Sequence, residues 1–424
     1  MVDKNEVEIG ATAEHVDEKI DDDLIADTKH MIADAAAGFA NEKELGALAA
    51  VKAYPYAILW SLVMAFCVVM EGYDCALIGS FFAFPSFQIK FGRYVGVSPA
   101  TPSGYQLTAA WQSALGQANN ASGFFAAILN GWLVPAYGQR RVVMWSLVLI
   151  IGGIFFPFFA PNLTVLTIGE VFLGFPWATL ATCAISYAAE VLPPSIRTYL
   201  TSYTNMCFII GQLIASGILK GLSNNTSQWA YRIPFALQWV WPCILLPLVY
   251  LAPESPWHLV RQNRLEEAEK ALRRLQSSKC DIDPKHTLAT IIHTNDFERR
   301  VHVEGSYWDC FRGPELRRTE IAALTYAGQV FVGIGFAYSS TYFFQSIGVG
   351  TSTTYSLGLS GNCLGLIGCF INWFDHKGVA LTQASLCLLW TFVFQLSIGQ
   401  LAGILMQYLM NPEAWNVKGY VGTR

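Results

Sequence analysis

Residues 56–78 read YAILWSLVMAFCVVMEGYDCALI, a segment whose only charged side chains are Glu71 and Asp74. About 20 such residues cross roughly 30 Å of hydrocarbon as an α-helix at 1.5 Å per residue. Similar apolar blocks follow at about 120–138, 142–160, 163–188, 200–219, 233–251, 321–344, 354–374 and, as one long block, 379–410. Because lipid offers the backbone no hydrogen bonds and the blocks lack strand alternation, the sequence predicts an all-α polytopic membrane protein.

The composition excludes several classes of protein. Of the 424 residues, 53% are hydrophobic and 14% are charged, whereas about a quarter of the residues of a soluble domain are charged. Basic residues lie between apolar blocks and form no continuous face, so no nucleic-acid partner is expected. The ten cysteines form no CxxC pair and the seven histidines fall in the tail or loops, so neither a metal nor another cofactor is expected. No span combines a nucleophile with a base, which argues against an enzyme.

Charge and hydropathy divide the chain into four regions. Residues 1–50 are acidic and polar and predict a disordered cytoplasmic tail, and 51–252 contain six predicted spans. Residues 253–320 form a polar helical loop, and 321–424 contain about three spans. A long polar loop after six spans is the layout of a transporter built from two halves, with its substrate site between them near the bilayer midplane.

The distribution of basic residues predicts the orientation. Lys and Arg cluster at Arg140, Arg141, Arg197 and through 261–318, whereas the alternate loops are nearly free of them. By the positive-inside rule, the N-terminus and the central loop of this multi-pass cell-membrane protein face the cytoplasm. Three glycosylation sequons on the opposite side agree with this and begin at Asn120, Asn162 and Asn224.

Within the central loop, residues 264–276 (RLEEAEKALRRLQ) have helical periodicity. Leu265, Ala268, Leu272 and Leu275 would form one apolar stripe. Two acid-first pairs four residues apart further favour a helix. The pattern predicts a helix along the cytoplasmic face, and the simplest interpretation of it is a solvated amphipathic helix without chemistry.

Three carboxyl groups lie in predicted spans, where each costs at least about 2.5–3.5 kcal/mol on insertion scales. Glu71 and Asp74 are three residues apart and share one face of a helix. Both cannot be ionised cheaply, so the sequence predicts a proton-coupling pair that faces the translocation path. The alternative is a hydrated pair near the end of the span. Glu170, in the fourth span, is either a second proton carrier or an interfacial residue that reaches the headgroups.

Neutral amides in the spans suit sugar hydroxyl groups, because an amide both donates and accepts hydrogen bonds. Gln212, Gln329 and Asn362 are the candidates, with the ring of Tyr338 to stack on a sugar face. The alternative is that these amides tie neighbouring helices together.

Four motifs resemble those of the sugar-porter branch of the major facilitator superfamily. They are EGYD (71–74), NGWLVPAYGQRR (130–141), AEVLPPSIRT (189–198) and PESPWHLV (253–260). The motif sequences are most similar to those of the fungal α-glucoside (maltose-type) proton symporters, with further similarity at 328–344 and 388–401. This resemblance covers about 45–424 and implies a major-facilitator-type fold of two six-helix halves that moves a disaccharide and a proton inward together.

The resemblance also implies roles for individual residues. Asp74 and Glu71 would handle the proton, and the amides Gln212, Gln329 and Asn362 would lie at or near the sugar. The gate and motif residues are Arg140, Arg141, Glu190, Arg197 and Glu254.

Several positions depart from the family pattern. Trp257 replaces an arginine, the loop aspartate before Gly138 is absent, and Glu170 stands where hexose symporters carry an arginine. These differences argue against a plain hexose symporter and are compatible with the α-glucoside branch. After 371–374 and again after 397–401 the family's next loop is missing, which indicates two internal losses plus truncation. An incomplete C-terminal half of about three spans could not close the path, so the chain as written is expected to be inactive.

Two other hypotheses stay open. Another sugar-porter substrate (a hexose, lactose or a quinate-like acid) is compatible with the sequence, because pocket residues of the second half are missing. The other hypothesis is a sugar receptor that signals without transport, although such receptors usually carry a long cytoplasmic C-terminal tail.

Overall fold

The computed structural model describes residues 47–98, 101–225, 227–277, 283–300, 310–311, 313–331 and 339–374. Residues 1–46, Tyr338 and the predicted block at 379–410 lie outside the described residues. In chain order the elements are α1 (Ala47–Ala53), α2 (Pro55–Phe81), α3 (Pro85–Phe91), β1 (Arg93–Tyr94), β2 (Tyr105–Gln106), α4 (Ala109–Tyr137), α5 (Gln139–Gly153), α6 (Phe155–Phe159), α7 (Leu163–Val191), α8 (Pro194–Leu222), α9 (Trp229–Leu237), α10 (Val240–Leu251), α11 (Pro256–Arg261), α12 (Leu265–Leu275), α13 (Pro284–Arg300), α14 (Gly313–Phe331), α15 (Ser340–Ser346) and α16 (Thr351–Phe374).

Five of the described helical segments are long and apolar enough to cross a membrane. They are Pro55–Phe81, Gln139–Phe159, Leu163–Val191, Pro194–Leu222 and Trp229–Leu251. The second of these combines α5 with α6, and the fifth combines α9 with α10 across a turn at Gln238 and Trp239. Each corresponds to a span predicted from the sequence.

The second predicted span is longer than its apolar block indicates. α4 begins at Ala109, well before the predicted start at 120, and it contains Gln112 and Asn119. These polar side chains leave it less apolar than the five segments above. Asn120 therefore lies inside α4 with its side chain exposed, not in a loop. Its sequon consequently gives no support to the predicted orientation.

α2 packs along both α7 and α8. Gly72 and Gly211 mark the crossing with α8: a Cβ on Gly72 would overlap the carbonyl oxygen of Phe208, and one on Gly211 would overlap that of Val69. Small residues of this kind let membrane helices approach until their backbones touch. Asp74, two residues after Gly72, is thereby held close to the helix interface.

Helices α11, α12 and α13 form a polar layer at one end of the bundle, here called the loop end. Their inner side chains form a small apolar core that includes Leu259, Leu272 and Ile291. This layer is joined to the bundle through backbone groups as well, since Ser277 N donates to Ala53 O at 2.8 Å. The loop end is thus a folded layer continuous with the spans.

α12 confirms the helix predicted at 264–276, but the residues that it buries differ from the predicted apolar stripe. The pair Glu269–Arg273 forms at 2.6 Å. However, Leu265 is 38% exposed, and Ala271 is buried with the other predicted stripe residues. A glutamate–arginine pair three residues apart, Arg264 and Glu267, adds a second contact at 2.6 Å.

The opposite end of the bundle brings the second half against the first. Tyr355, on α16, is buried and donates from its hydroxyl to Ser80 O at 2.9 Å. Gln88 Nε2, on α3, donates to Gln345 Oε1, on α15, at 3.2 Å. The described helices of the second half are therefore docked on α2 and α3 through specific polar contacts.

Candidate proton and sugar site

Asp74 lies in a polar pocket that is closed to solvent. Its side chain is 0% exposed. Gln238 Nε2 donates to Asp74 Oδ1 at 2.6 Å, and Asn119 Nδ2 donates to Asp74 Oδ2 at 3.4 Å. α2, α4 and the turn between α9 and α10 therefore converge on one carboxyl group. Two amide donors stabilise a carboxylate through hydrogen bonds but supply no positive charge.

A second carboxyl group lies beside the first. Glu170, on α7, is 1% exposed, and its carboxyl is near enough to that of Asp74 for the two to interact electrostatically. Glu170 Oε1 has no hydrogen-bond partner among the described residues. The indole Nε1 of Trp177, on the same helix, is also buried without a hydrogen-bond partner among the described residues. Since Glu170 is enclosed by protein, the alternative of an interfacial residue that reaches headgroups is wrong.

The electrostatics of this pair follow from its surroundings. The salt bridges within the described part of the chain involve Glu190, Glu267 and Glu269, and none involves Asp74 or Glu170. Two adjacent buried carboxyls without a cation cannot both be ionised at low cost. The arrangement can therefore hold one proton between two acids and release it when the site is hydrated or the pair separates.

Glu71 lies one turn before Asp74 on α2, and its side chain is partly exposed. The alternative of a hydrated pair at the end of the span is wrong for Asp74, which has no exposure and precedes the end of α2 at Phe81 by about two turns. Asp74 and Glu170 form the enclosed pair, while Glu71 lies one turn away on α2 with a partly exposed side chain.

The predicted sugar ligands are placed differently from one another. Gln212 is partly buried on α8. Asn362 Nδ2 donates to Ser216 Oγ at 3.0 Å and so joins α16 to α8, which is the helix-tying role that the sequence left open. Gln329 lies in α14, but its side chain, like Tyr338, lies outside the described residues.

The two donors to Asp74 are not among the site residues predicted from the sequence. Gln238 stands in the otherwise apolar block 233–251 and carries the same signal that selects Gln212. Asn119 precedes the predicted second span by one residue. A polar side chain outside a span is not costly, so the sequence offers no reason to select it. A correct start for α4 would have brought Asn119 into consideration.

At the loop end, Glu254 caps the N-terminus of α5. Glu254 Oε1 accepts hydrogen bonds from Arg140 N at 3.2 Å and from Ser255 N at 3.3 Å. Gly138 has a φ of 87°, and a Cβ there would lie 2.7 Å from Glu254 Oε2, so glycine allows both the turn and the approach of the carboxyl. Burial raises the pKa of Glu254, and the backbone donors and Arg140 partly offset that rise.

Glu190 connects α7 to the loop end. It accepts a hydrogen bond from Ser255 Oγ and lies 3.8 Å from the guanidinium of Arg261. Arg197 instead donates to the carbonyl oxygen of Leu192 at 3.1 Å. Glu254 and Arg197 thus fix helix ends, and Glu190 pairs with Arg261 on α11.

Residues 60–370 match the model of a family described as sugar (and other) transporter. A maltose permease of Saccharomyces cerevisiae is 35% identical over 350 residues, which are 81% of this chain and 56% of that protein. A general alpha-glucoside permease of Saccharomyces cerevisiae is 37% identical over 346 residues, which are 80% of this chain and 55% of that protein. The chain therefore spans just over half the length of these curated relatives.

Solved structures share the fold at low sequence identity. The E. coli xylose transporter XylE, in a partially occluded inward-open conformation, has a TM-score of 0.57 at 20% identity over 76% of this chain and 75% of that chain. The proton:xylose symporter XylE bound to 6-bromo-6-deoxy-D-glucose has a TM-score of 0.60 at 22% identity over 75% of this chain and 68% of that chain. The likeness confirms the predicted all-α, major-facilitator-type fold.

Proposed function

Because the chain belongs to the sugar (and other) transporter family, we propose that it carries a sugar across a membrane. The substrate class is an α-glucoside such as maltose, taken up together with a proton. The permeases to which the chain is 35% and 37% identical carry maltose and alpha-glucoside in their names, which supports this substrate class.

One observation carries the proposal of proton coupling: Asp74 and Glu170 are buried side by side without a cation. With one proton bound, Glu170 can donate to Asp74, and the amides of Gln238 and Asn119 hold the second carboxyl in place. Loss of that proton leaves two like charges in contact, which repel and favour separation of α2 from α7. Proton binding and helix position are then linked, as symport requires.

The sugar would be sensed through α8. Gln212 follows Gly211, the residue at which α8 touches the backbone of α2. A sugar hydroxyl bound by the Gln212 amide would therefore act on a helix that contacts the carboxyl-bearing helix directly. Gln329, Asn362 and Tyr338 remain candidates for the second-half side of the sugar site.

We further propose that the loop end faces the cytoplasm. Arg140, Arg141 and Arg261 all lie there, and the positive-inside rule favours the cytoplasmic side for such a cluster. On this proposal, 51–252 is the N-terminal half, 253–320 the cytoplasmic loop and 321–424 the second half.

The test is uptake of labelled maltose, with external pH recorded, in yeast cells that lack their own α-glucoside permeases. Two proteins are compared: the chain itself and a chimera whose second half comes from the related maltose permease. Uptake with alkalinisation of the medium by either protein supports the proposal. If only the chimera transports, the expectation that the chain as written is inactive is confirmed. If neither moves maltose but one moves a hexose, lactose or a quinate-like acid, the α-glucoside assignment is wrong.

The Glu170→Gln variant tests the proton site in whichever protein transports. It is expected to lower proton-coupled uptake by about tenfold or more, the equivalent of about 1.4 kcal/mol, because an amide cannot exchange the proton. Glu269→Gln is the matched control, since Glu269 lies on the loop-end helix α12 and pairs with Arg273. Equal alkalinisation by wild type and Glu170→Gln would refute the role of the buried pair.

A further inference from the structure

A cavity of about 410 Å³ opens at the loop end between α4, α5, α10 and α12, apart from the Asp74 site. Its lining is strongly basic, because it contains five cationic and two acidic side chains. The cationic residues are Arg140, Arg141, Arg264, Lys270 and Arg274, and the acidic ones are Glu254 and Glu267.

Both acidic groups in the cavity are already engaged. Glu254 accepts from backbone N–H groups at the start of α5. Both oxygens of Glu267 accept from Arg264 at 2.6 Å. Neither Arg141 nor Lys270 forms a side-chain hydrogen bond or salt bridge with a described residue. The cavity therefore retains uncompensated positive charge.

Arg140, near Glu254 in the lining, forms no salt bridge with a described residue. Its guanidinium carbon lies 5.3 Å from the centroid of the Tyr250 ring, a cation–π distance. Its Nε is buried and has no hydrogen-bond partner among the described residues. The described protein therefore leaves the charge of Arg140 only partly satisfied.

Two tyrosines, Tyr137 and Tyr250, line the cavity, and exposed tryptophans lie beside Tyr137. Tyr250 is 63% exposed and Trp132 is 61% exposed. The ring of Tyr137 lies 4.9 Å from that of Trp145 and 6.2 Å from that of Trp132. Exposed Trp and Tyr side chains of membrane proteins concentrate at the level of the headgroups. The cavity thus opens where a headgroup, and not only a soluble ion, can reach its cations.

We propose that this cavity binds a phosphate group, carried by the headgroup of an anionic phospholipid. Arg140 and Arg141 supply N–H donors suited to phosphate oxygens, and Lys270 adds a point charge from the facing helix α12. Anionic lipids are abundant in the cytoplasmic leaflet, the side on which the proposed orientation puts the loop end. A bound headgroup would bridge α5 to α12 and so join the loop-end layer to the spans.

The test is native mass spectrometry of the full chain in detergent, titrated with phosphatidic acid or with phosphatidylcholine. The chain is expected to retain phosphatidic acid in preference to phosphatidylcholine. Lys270→Gln should weaken retention about fivefold, and the double variant with Arg141→Gln on the order of 25-fold, since each basic residue near an anionic surface contributes about 1 kcal/mol. Lys270→Arg, which keeps the charge, should bind as wild type does.

Arg273→Gln is the matched control, because it removes one positive charge from the same helix at a side chain paired with Glu269. An equal loss in Arg273→Gln and Lys270→Gln would show diffuse surface attraction and overturn the proposal, as would equal retention of both lipids by wild type. Displacement of phosphatidic acid by inorganic phosphate at the same concentration would assign the cavity to a soluble phosphate and overturn the lipid source.

Discussion

Gly211→Ala is expected to destabilise the protein by about 2–3 kcal/mol, the upper part of the range for overpacking. The new Cβ would overlap Val69 O, and it would lie 2.7 Å from Tyr73 N and 3.0 Å from Val69 C. Carbon atoms in ordinary contact are about 3.5–4.0 Å apart. All three neighbours are backbone atoms, so no side-chain rotation relieves the overlap. α2 and α8 must separate along a crossing where they otherwise touch.

Gly217→Ala is the matched control on the same helix. A Cβ on Gly217 would meet nothing within 4 Å, and alanine has a helix propensity about 1 kcal/mol better than glycine. Thermal unfolding of both purified variants in detergent, followed by the loss of the monodisperse species, measures the difference. If Gly211→Ala melts with wild type, or if Gly217→Ala melts as early as Gly211→Ala, the close helix crossing is refuted.

Two further predictions concern the loop end and the second half. Burial is the main cause that lowers the pKa of His258 from 6.5, and nearby arginines lower it further. The imidazole is therefore protonated more readily in the unfolded chain than in the folded chain. The contribution of His258 to the free energy of unfolding is therefore full above 6.5, the pKa in the unfolded chain. It is lost as the pH falls through the lower pKa of the folded state. Melting curves of His258→Gln at neutral and mildly acidic pH should lack that fall, and curves parallel to wild type would contradict it. Asn362→Ala and Ser216→Ala should couple by about 0.6 kcal/mol in a double-mutant cycle of melting stability, whereas strictly additive losses would exclude their hydrogen bond.

Hydropathy predicts the apolar spans well and the polar one poorly. Blocks at 56–78 and 163–188 correspond to α2 (Pro55–Phe81) and α7 (Leu163–Val191), because a run of apolar residues satisfies the bilayer without help from its neighbours. α4 differs because Asn119 is directed at Asp74 inside the protein. A polar residue that finds its partner on another helix has no signature in a local average.

The candidate site shows the same division. Asp74 and Glu170 are identifiable from the sequence, because an ionisable group in a span costs enough to require a reason. Their contact is not, since it depends on how α2 and α7 are rotated about their axes. The donor Gln238 reaches Asp74 from a turn 164 residues further along the chain. Local periodicity contains no information on a contact of that separation.

The cap on α5 has a consequence for the order of events during biosynthesis. Arg140 and Glu254 are 114 residues apart, and at synthesis rates of about 5–20 residues per second the interval between them lasts about 6–23 s. α5 is thus made, and reaches the membrane, well before the carboxylate that completes its first turn has left the ribosome. The N-terminal cap of α5 can therefore form only after the sixth span has been translated. The contact between the start of α5 and the segment after α10 is then among the last to form in this half of the protein.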